Sequence, residues 1–455
     1  MDVGRAILER LKPWKVALRA LRHRNYQLFF AGQGVSLIGT WMQSTALPWL
    51  VFQKSGSKLL LGVVAFAGTV PASILTPLAG VISDRVDRRR ILIATQTLAM
   101  LQAFILSGLV VADVIEVWHI IALGVFLGVI VAFDMPARQA FVVEMIDDRR
   151  DLGNAIALNS LMFNGARFVG PALAGVVVGL FGEGPVFAAN GLSFLAVIAS
   201  YFAMKTRPRA HRHAGTHVLS ELVEGMRYVF RQPGIRSILL LLSLTSLVGM
   251  SYVTLMPAFA RDILGGEAQT YGWLLTSIGL GAIVGAIHLA TRRDLKGFAR
   301  KIVLAAAGMS LGLVAFSQSR VFWLSAGLLL VIGFSSMVQM ASSNTVVQTL
   351  VSDDKRGRMM GLYALCFMGV APLGNLLTGA VAQRIGAPTT VLLSGLCCLL
   401  TVSILAAKLV RVDRMAHPIP AANGVPEEIA EGMRAATGTP PEPLDEPNSP
   451  AKPKS

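Results

Sequence analysis

The sequence predicts an all-α integral membrane protein, with twelve transmembrane helices arranged as two six-helix bundles. Three observations carry that expectation. Of its 455 residues, 54% are hydrophobic and only 15% charged, against about 25% charged in an ordinary soluble protein. Apolar runs close to the ~20 residues that a bilayer-spanning helix requires recur from Tyr26 to Ala407. The basic residues, finally, alternate from loop to loop. Backbone polar groups in lipid must be satisfied internally, and runs this long and this apolar satisfy them as helices.

In order, the predicted spans cover about 26–53, 59–83, 91–111, 118–134, 153–181 and 185–204, then 237–259, 270–291, 301–317, 321–341, 359–382 and 387–407. Short loops holding Gly, Pro or charge separate them. The longest polar interruption, 205–236, contains TRPRAHRHAGTHVLSELVEGMRYVFRQPGIR. It reads as a flexible start followed by an amphipathic surface helix, and it divides six spans from six. The halves resemble one another. An offset of 204 residues pairs Gly165, Gly170 and Gly175 with Gly369, Gly374 and Gly379, and an offset of 210 pairs Ser36, Leu37 and Gly39 with Ser246, Leu247 and Gly249. Two parallel repeats of this kind are a transporter plan. The expected units are a basic interfacial segment at 1–24, a first bundle at 25–204, a cytoplasmic linker at 205–236, a second bundle at 237–410 and a tail at 411–455. The tail holds nine of the 21 prolines and few large apolar groups, so it is expected to be disordered and cytoplasmic.

The formal net charge of +15 reports topology rather than a nucleic-acid partner. With the N-terminus inside, the predicted cytoplasmic segments hold 35 Lys and Arg, the external ones hold five, and Arg167 lies within a span. This is the positive-inside pattern, and an even number of spans returns the C-terminus to the cytoplasm. The expected location is the bacterial inner (plasma) membrane. WKVALRALRHR is too basic and too weakly apolar for a cleavable signal and reads as an interfacial helix. Cys366, Cys397 and Cys398 show neither metal spacing nor a disulfide framework. There is no phosphate-binding loop, no His/Cys metal cluster and no nucleophile with a paired base, so no enzyme, cofactor, metal or catalytic residue is expected.

The most specific local signal is GVISDRVDRRRIL, in the loop after the second span. Its arginines suit an inside loop, but the spacing carries more. Gly80, Asp84, Arg85, Arg88 and Arg89 match the G-x-L-x-D-R-x-G-R-R/K signature of the major facilitator superfamily, with Ile82 for the Leu and Asp87 where the second glycine belongs. The chain resembles that family over about residues 20–410. The resemblance implies a charge latch in which Asp84 faces the N-terminus of the eleventh span, near Arg356 to Met359, and holds the cytoplasmic side shut in one state. In the fifth span NGARFVGPALAG resembles the G-P-x-x-G-G antiporter signature at Gly170, Pro171 and Gly175, with Ala174 for one glycine. Gly281 and Gly285 of the eighth span are also four apart, and the resemblance implies contact between these two spans; generic close packing is the alternative. PARQAFVVEMI and RNYQLFFAGQGVSLIGTWM look like the branch that contains enterobactin exporters and macrolide efflux proteins.

Gln33, Ser36, Thr40 and Gln43 fall on one face of the first span. They form either an interhelical hydrogen-bond seam or, by the family's geometry, part of a central cavity lined by the first, fourth, seventh and tenth spans. Ser246, Tyr252 and Gln339 would join them there, with Asn159 and Asn164 as further polar candidates. Arg167 sits deep in the fifth span, where a lone charge costs about 2.5–3.5 kcal/mol on insertion scales; it either fixes packing or contacts substrate. The family's fourth-span arginine position holds Gly124, and Asp134 is the best-placed protonatable group. The reading is therefore a secondary active exporter, proton-linked by resemblance, that moves an amphiphilic small organic molecule of siderophore or drug type by alternating access. Its partners would be that substrate, protons and the bilayer, the chain acting as a monomer. The alternatives are an importer of the same fold and a membrane receptor or assembly protein that does not transport.

Overall fold

A computed structural model describes residues 18–205, 226–227, 229, 232–291, 297–351 and 353–415. Twelve long helices follow in order: α1 Arg24–Ser55, α2 Lys58–Arg85, α3 Arg88–Val111, α4 Val117–Glu144, α5 Leu152–Phe181, α6 Gly184–Ala203, α7 Pro233–Ile263, α8 Ala268–Ala290, α9 Phe298–Gln318, α10 Phe322–Leu350, α11 over 353–385 and α12 Ala387–Met415. Among the described residues, eleven are long and apolar enough to cross a membrane by length and composition alone. The exception is α1, whose glutamines and hydroxyls interrupt the apolar run. Helix ends overshoot the predicted spans: α4 passes 134 to reach Glu144, and α10 passes 341 to reach Leu350. Hydropathy ends where the hydrocarbon ends, whereas the hydrogen-bonded ladder continues beyond it.

The repeat seen in the sequence returns as equivalent packing. In the first half α1 packs on α5 and α6, α3 on α4 and α6, and α2 on α4; in the second α7 packs on α11 and α12, α9 on α10 and α12, and α8 on α10. The paired glycines do equivalent work. Gly170 closes α5 onto Trp41 of α1, as Gly374 closes α11 onto Leu247 of α7. A methyl at Gly175 would lie 3.1 Å from Gly272 Cα of α8, and one at Gly379 would lie 2.9 Å from Gly62 Cα of α2. The first pair binds each half internally. The second pair binds the halves to each other, since small residues let helix backbones approach in lipid.

We call the end bearing the arginine-rich loops the basic face and the other end the distal face. Residues 20–26 are docked at the basic face. Ala20 N–H donates to Asn154 Oδ1 at 2.9 Å, the Tyr26 hydroxyl donates to the Ala155 carbonyl at 2.7 Å, and the His23 ring lies 3.5 Å from Asp147 and 3.1 Å from Asp151. The described part of the expected interfacial segment includes a short turn, Arg19–Arg22, held by Asp151 and by Asn154 in the first turn of α5. The rest of that segment, most of the expected linker and the tail from 416 onward lie outside the described residues.

Candidate substrate cavity and gates

The polar face of α1 divides. Gln33, Ser36 and Gln43 are buried, while Thr40 is exposed. Gly32 and Gly39, on the buried face, bring α1 against Ser200 and Ser193 of α6. In that seam Gln43 donates to Gln102 Oε1 of α3 at 3.1 Å and accepts from Asn190 Nδ2 of α6 at 2.8 Å. Three helices therefore share one amide network. Gln43→Leu would leave Gln102 and Asn190 buried with lost partners, a loss of about 1–3 kcal/mol. The expected result is a lower melting temperature of the purified protein, with Thr40→Val causing a much smaller change.

On the second half, Gln339 of α10 donates to Thr245 Oγ1 at 3.0 Å, and Ser246 Oγ donates to the Phe367 carbonyl. Thr245 and Phe367 lie in wide π-helical turns, Thr245–Gly249 of α7 and Leu365–Gly369 of α11. Such turns loosen a helix locally and concentrate at functional sites. Nothing in the hydropathy pattern announces them. Ser246, Tyr252 and Gln339 are all buried.

Arg167 lies where the halves meet. Its guanidinium stands 5.8 Å from the centroid of Trp41, which packs edge-on against Phe163 at 5.6 Å. Among the described residues Arg167 has no ion pair. Between α1 and α5 lies an apolar groove of about 390 Å³ lined by Phe30, Gly34, Val35, Ile38, Met162, Gly165 and Ala166; Arg167 is the next residue of α5, and Trp41 follows Ile38 by one turn of α1. Asp134 does not share this space. It is buried inside the first bundle, accepting from Thr95 Oγ1 at 3.0 Å and Gln96 Nε2 at 2.7 Å and paired with Arg138 one turn along α4. Gly124 lies against Gly68 of α2, and a methyl at Gly128 would sit 2.5 Å from the Gly68 carbonyl oxygen; α2 and α4 touch where an arginine would need room.

At the basic face, Gly80 ends a stretch of α2 with open space beside it: a methyl there meets nothing within 4 Å. The side chain of Asp84 and those of residues 356–358 lie outside the described set. Arg88 pairs with Glu144 at 2.5 Å, and Arg89 Nη2 donates to the Phe202 carbonyl at 3.1 Å, while Arg85 is exposed. Two of the motif arginines thus fasten the loop to α4 and α6. Asp87, in the position of the motif's second glycine, has φ −56° and accepts from Arg89 N–H at 2.9 Å. No left-handed residue is needed in this turn, and aspartate instead supplies the N-cap of α3.

The distal face is closed. Lys58 pairs with Asp262 at 3.4 Å, and Trp49 stacks on Tyr271 at 5.8 Å. Gln383 Oε1, at the end of α11, accepts from Lys58 N–H at 2.9 Å, Leu59 N–H at 3.3 Å and the Ser57 hydroxyl at 3.3 Å. One side chain of the second half so caps the first turn of α2. Lys54 meets Asp113 at 2.9 Å and holds that carboxyl below the usual carboxylate range. The α5–α8 contact runs through Gly175, Gly272 and Gly279, with the Pro171 carbonyl facing Gly272. Gly281 and Gly285 point elsewhere, onto Leu330 and Phe334 of α10. The contact between spans follows the expectation from the sequence; the residues of α8 that make it do not. Gln383, Trp49 and Tyr271 carried no local signal, whereas Gly379 was marked by its repeat partner Gly175.

Two six-helix halves with equivalent internal packing that meet at the distal face define a major facilitator transporter, a protein that carries its substrate across the membrane and performs no covalent chemistry. The chain belongs to the transmembrane secretion effector family, whose sequence profile matches residues 15–439. It is 26% identical to the Staphyloferrin A transporter of Staphylococcus aureus, over 81% of this chain and 92% of that protein. It is 27% identical to the multidrug efflux pump Tap of Mycolicibacterium fortuitum, over 85% and 95%, and 24% identical to macrolide efflux protein A of Streptococcus pyogenes, over 82% and 94%. Its fold matches the crystal structure of a bacterial homolog to the human lysosomal transporter Spinster in an inward-facing, unoccupied conformation, with a TM-score of 0.66 and 13% identity over 86% of this chain and 97% of that one. The nucleoside transporter NupG matches with a TM-score of 0.64 and 12% identity, over 85% and 98%.

Proposed function

We propose that this carrier is a proton-linked exporter of an amphiphilic small organic molecule, with both termini and the basic face in the cytoplasm of a bacterium. The observation that carries the reading is the groove between α1 and α5 together with a distal face that is shut by Gln383, Lys58 and the paired glycines. A substrate would enter from the cytoplasm or inner leaflet. Relatives named for staphyloferrin, drug and macrolide transport support a siderophore-like or drug-like cargo. The basic loops support the orientation.

Release then needs the distal contacts to part and the basic face to close. Asp84 at the end of α2 would meet the positive end of α11 in that second state, a contact of typically 0.3–1 kcal/mol and up to about 2 when partly buried. Asp134 would carry the coupling proton, exchanged when its pairing with Arg138 loosens, and the unit of function would be the monomer. Vesicles of both orientations test direction and coupling together. Inverted vesicles carrying an inward-acid proton gradient should accumulate substrate, and collapse of the gradient should stop accumulation. Accumulation only by right-side-out vesicles would make the protein an importer, and binding without flux under any gradient would make it a receptor.

A further inference from the structure

We propose that the groove between α1 and α5 binds an amphiphilic organic anion, its apolar body lying along Val35, Ile38 and Met162 and its acidic group meeting the Arg167 guanidinium. This deepens the transporter reading and rests on it.

Charge carries the argument. Between the helix ends, the acidic side chain at membrane depth in the described structure is Asp134, which is buried in the first bundle and engaged by Arg138, Thr95 and Gln96. The other acidic residues of the long helices stand at or near helix ends: Asp84, Glu144, Asp262, Asp353, Asp354 and Asp413. No carboxylate among the described residues pairs with Arg167. The ring of Trp41 lies 5.8 Å from the guanidinium. An aromatic face attracts a cation but accepts little from its five N–H donors. Arg167 makes no hydrogen bond to any described residue, so its planar fork is available to a carboxylate, sulfonate or phosphate oxygen pair.

Shape selects the rest of the molecule. The face of α1 opposite the α6 seam carries Phe30, Gly34, Val35 and Ile38, and α5 supplies Met162, Gly165 and Ala166. From Phe30 to Ile38 the helix rises about 12 Å, long enough for a two- or three-ring body. One turn beyond the groove Gly170 brings α5 onto Trp41, so a ligand lying in the groove with its leading group toward that contact would bring the group to the Arg167 guanidinium, which stands over Trp41. The arginine-rich loops of the basic face would raise the local concentration of anions.

Two permanently charged probes with one apolar body test this: naphthalene-2-sulfonate and naphthalen-2-yl-trimethylammonium. Their equilibrium binding to the full-length carrier is measured in phosphatidylcholine nanodiscs. The sulfonate is expected to bind at least tenfold more tightly than the ammonium. Arg167→Gln should erase that ratio and Arg167→Lys should retain most of it, whereas Gly165→Leu, which fills the groove, should weaken both probes together. Equal binding of the two probes, preference for the cation, binding of neither, or an unchanged ratio in folded Arg167→Gln protein would overturn the proposal. So would displacement of the sulfonate on adding phosphatidylglycerol, which would identify the occupant as a lipid. Because binding is measured without flux, the two readings fail separately. A carrier that exports without charge preference loses only this inference, and one that prefers the sulfonate but moves nothing loses only the export reading.

Discussion

Gly379→Leu is expected to cut turnover about 5- to 150-fold while leaving each six-helix bundle folded. A methyl at this position would lie 2.7 Å from the Lys58 carbonyl oxygen and 2.9 Å from Gly62 Cα. Both are backbone atoms and cannot rotate aside, so the larger side chain must push α2 and α11 apart. That contact joins the bundles and is not part of either bundle's own core. Overpacking costs about 1–3 kcal/mol, comparable to the few kcal/mol that separate conformers of one protein. Each 1.4 kcal/mol is a factor of ten, so the distal-closed population should fall about 5- to 150-fold, and flux with it. Labelling of a cysteine engineered at the distal face, after removal of Cys366, Cys397 and Cys398, measures the population; flux in proteoliposomes measures the consequence. Gly108→Ala, whose methyl meets nothing within 4 Å, is the control. Labelling and flux at the original level in Gly379→Leu would show that the α2–α11 approach is dispensable.

Gln383→Leu and Asp84→Asn are expected to shift the conformational equilibrium in opposite directions. Gln383 satisfies two N–H groups at the start of α2, donors that a helix leaves unpaired. Losing a cap costs about 0.5–2 kcal/mol, so the distal-closed form should lose about 2- to 30-fold in relative population. Asp84, at the other end of the same helix, is proposed to stabilise the opposite state, and Asp84→Asn keeps its size while removing its charge. The double variant should return close to the original distribution, because effects at distant sites add. Spin-label distances across each face measure the shift. Movement in the same direction by both single variants would refute the two-latch arrangement.

Much of this architecture is legible in the one-dimensional pattern. The apolar pattern marks all twelve spans, α1 least strongly because Gln33, Ser36 and Gln43 spend their polarity on the inside of the bundle. The stripe of residues at helical spacing was visible, but which side of α1 it occupied was not. Only the glycines at 32 and 39, packed on Ser200 and Ser193, reveal that the stripe faces α6 and leaves Thr40 outside. Asp134 shows the same limit. Its charge at membrane depth was evident, while Arg138, Thr95 and Gln96 become its partners only when α3 and α4 lie side by side.

What the sequence by itself determined is what depends on the solvent: the number and approximate extent of the helices, the basic and distal faces, the duplication and the motif at Gly80–Arg89. A bilayer imposes those choices segment by segment, since each span must be apolar and must satisfy its own backbone. The tertiary structure alone decided which glycines join the halves, that Gln383 caps a helix more than 300 residues away in the chain, and that Arg167 stands over Trp41 with no carboxylate partner among the described residues. Contacts between helices in lipid depend on shape at a few small residues and on pairs of distant polar groups. Neither leaves a periodic signal, because each is a property of two surfaces brought together and not of either segment alone.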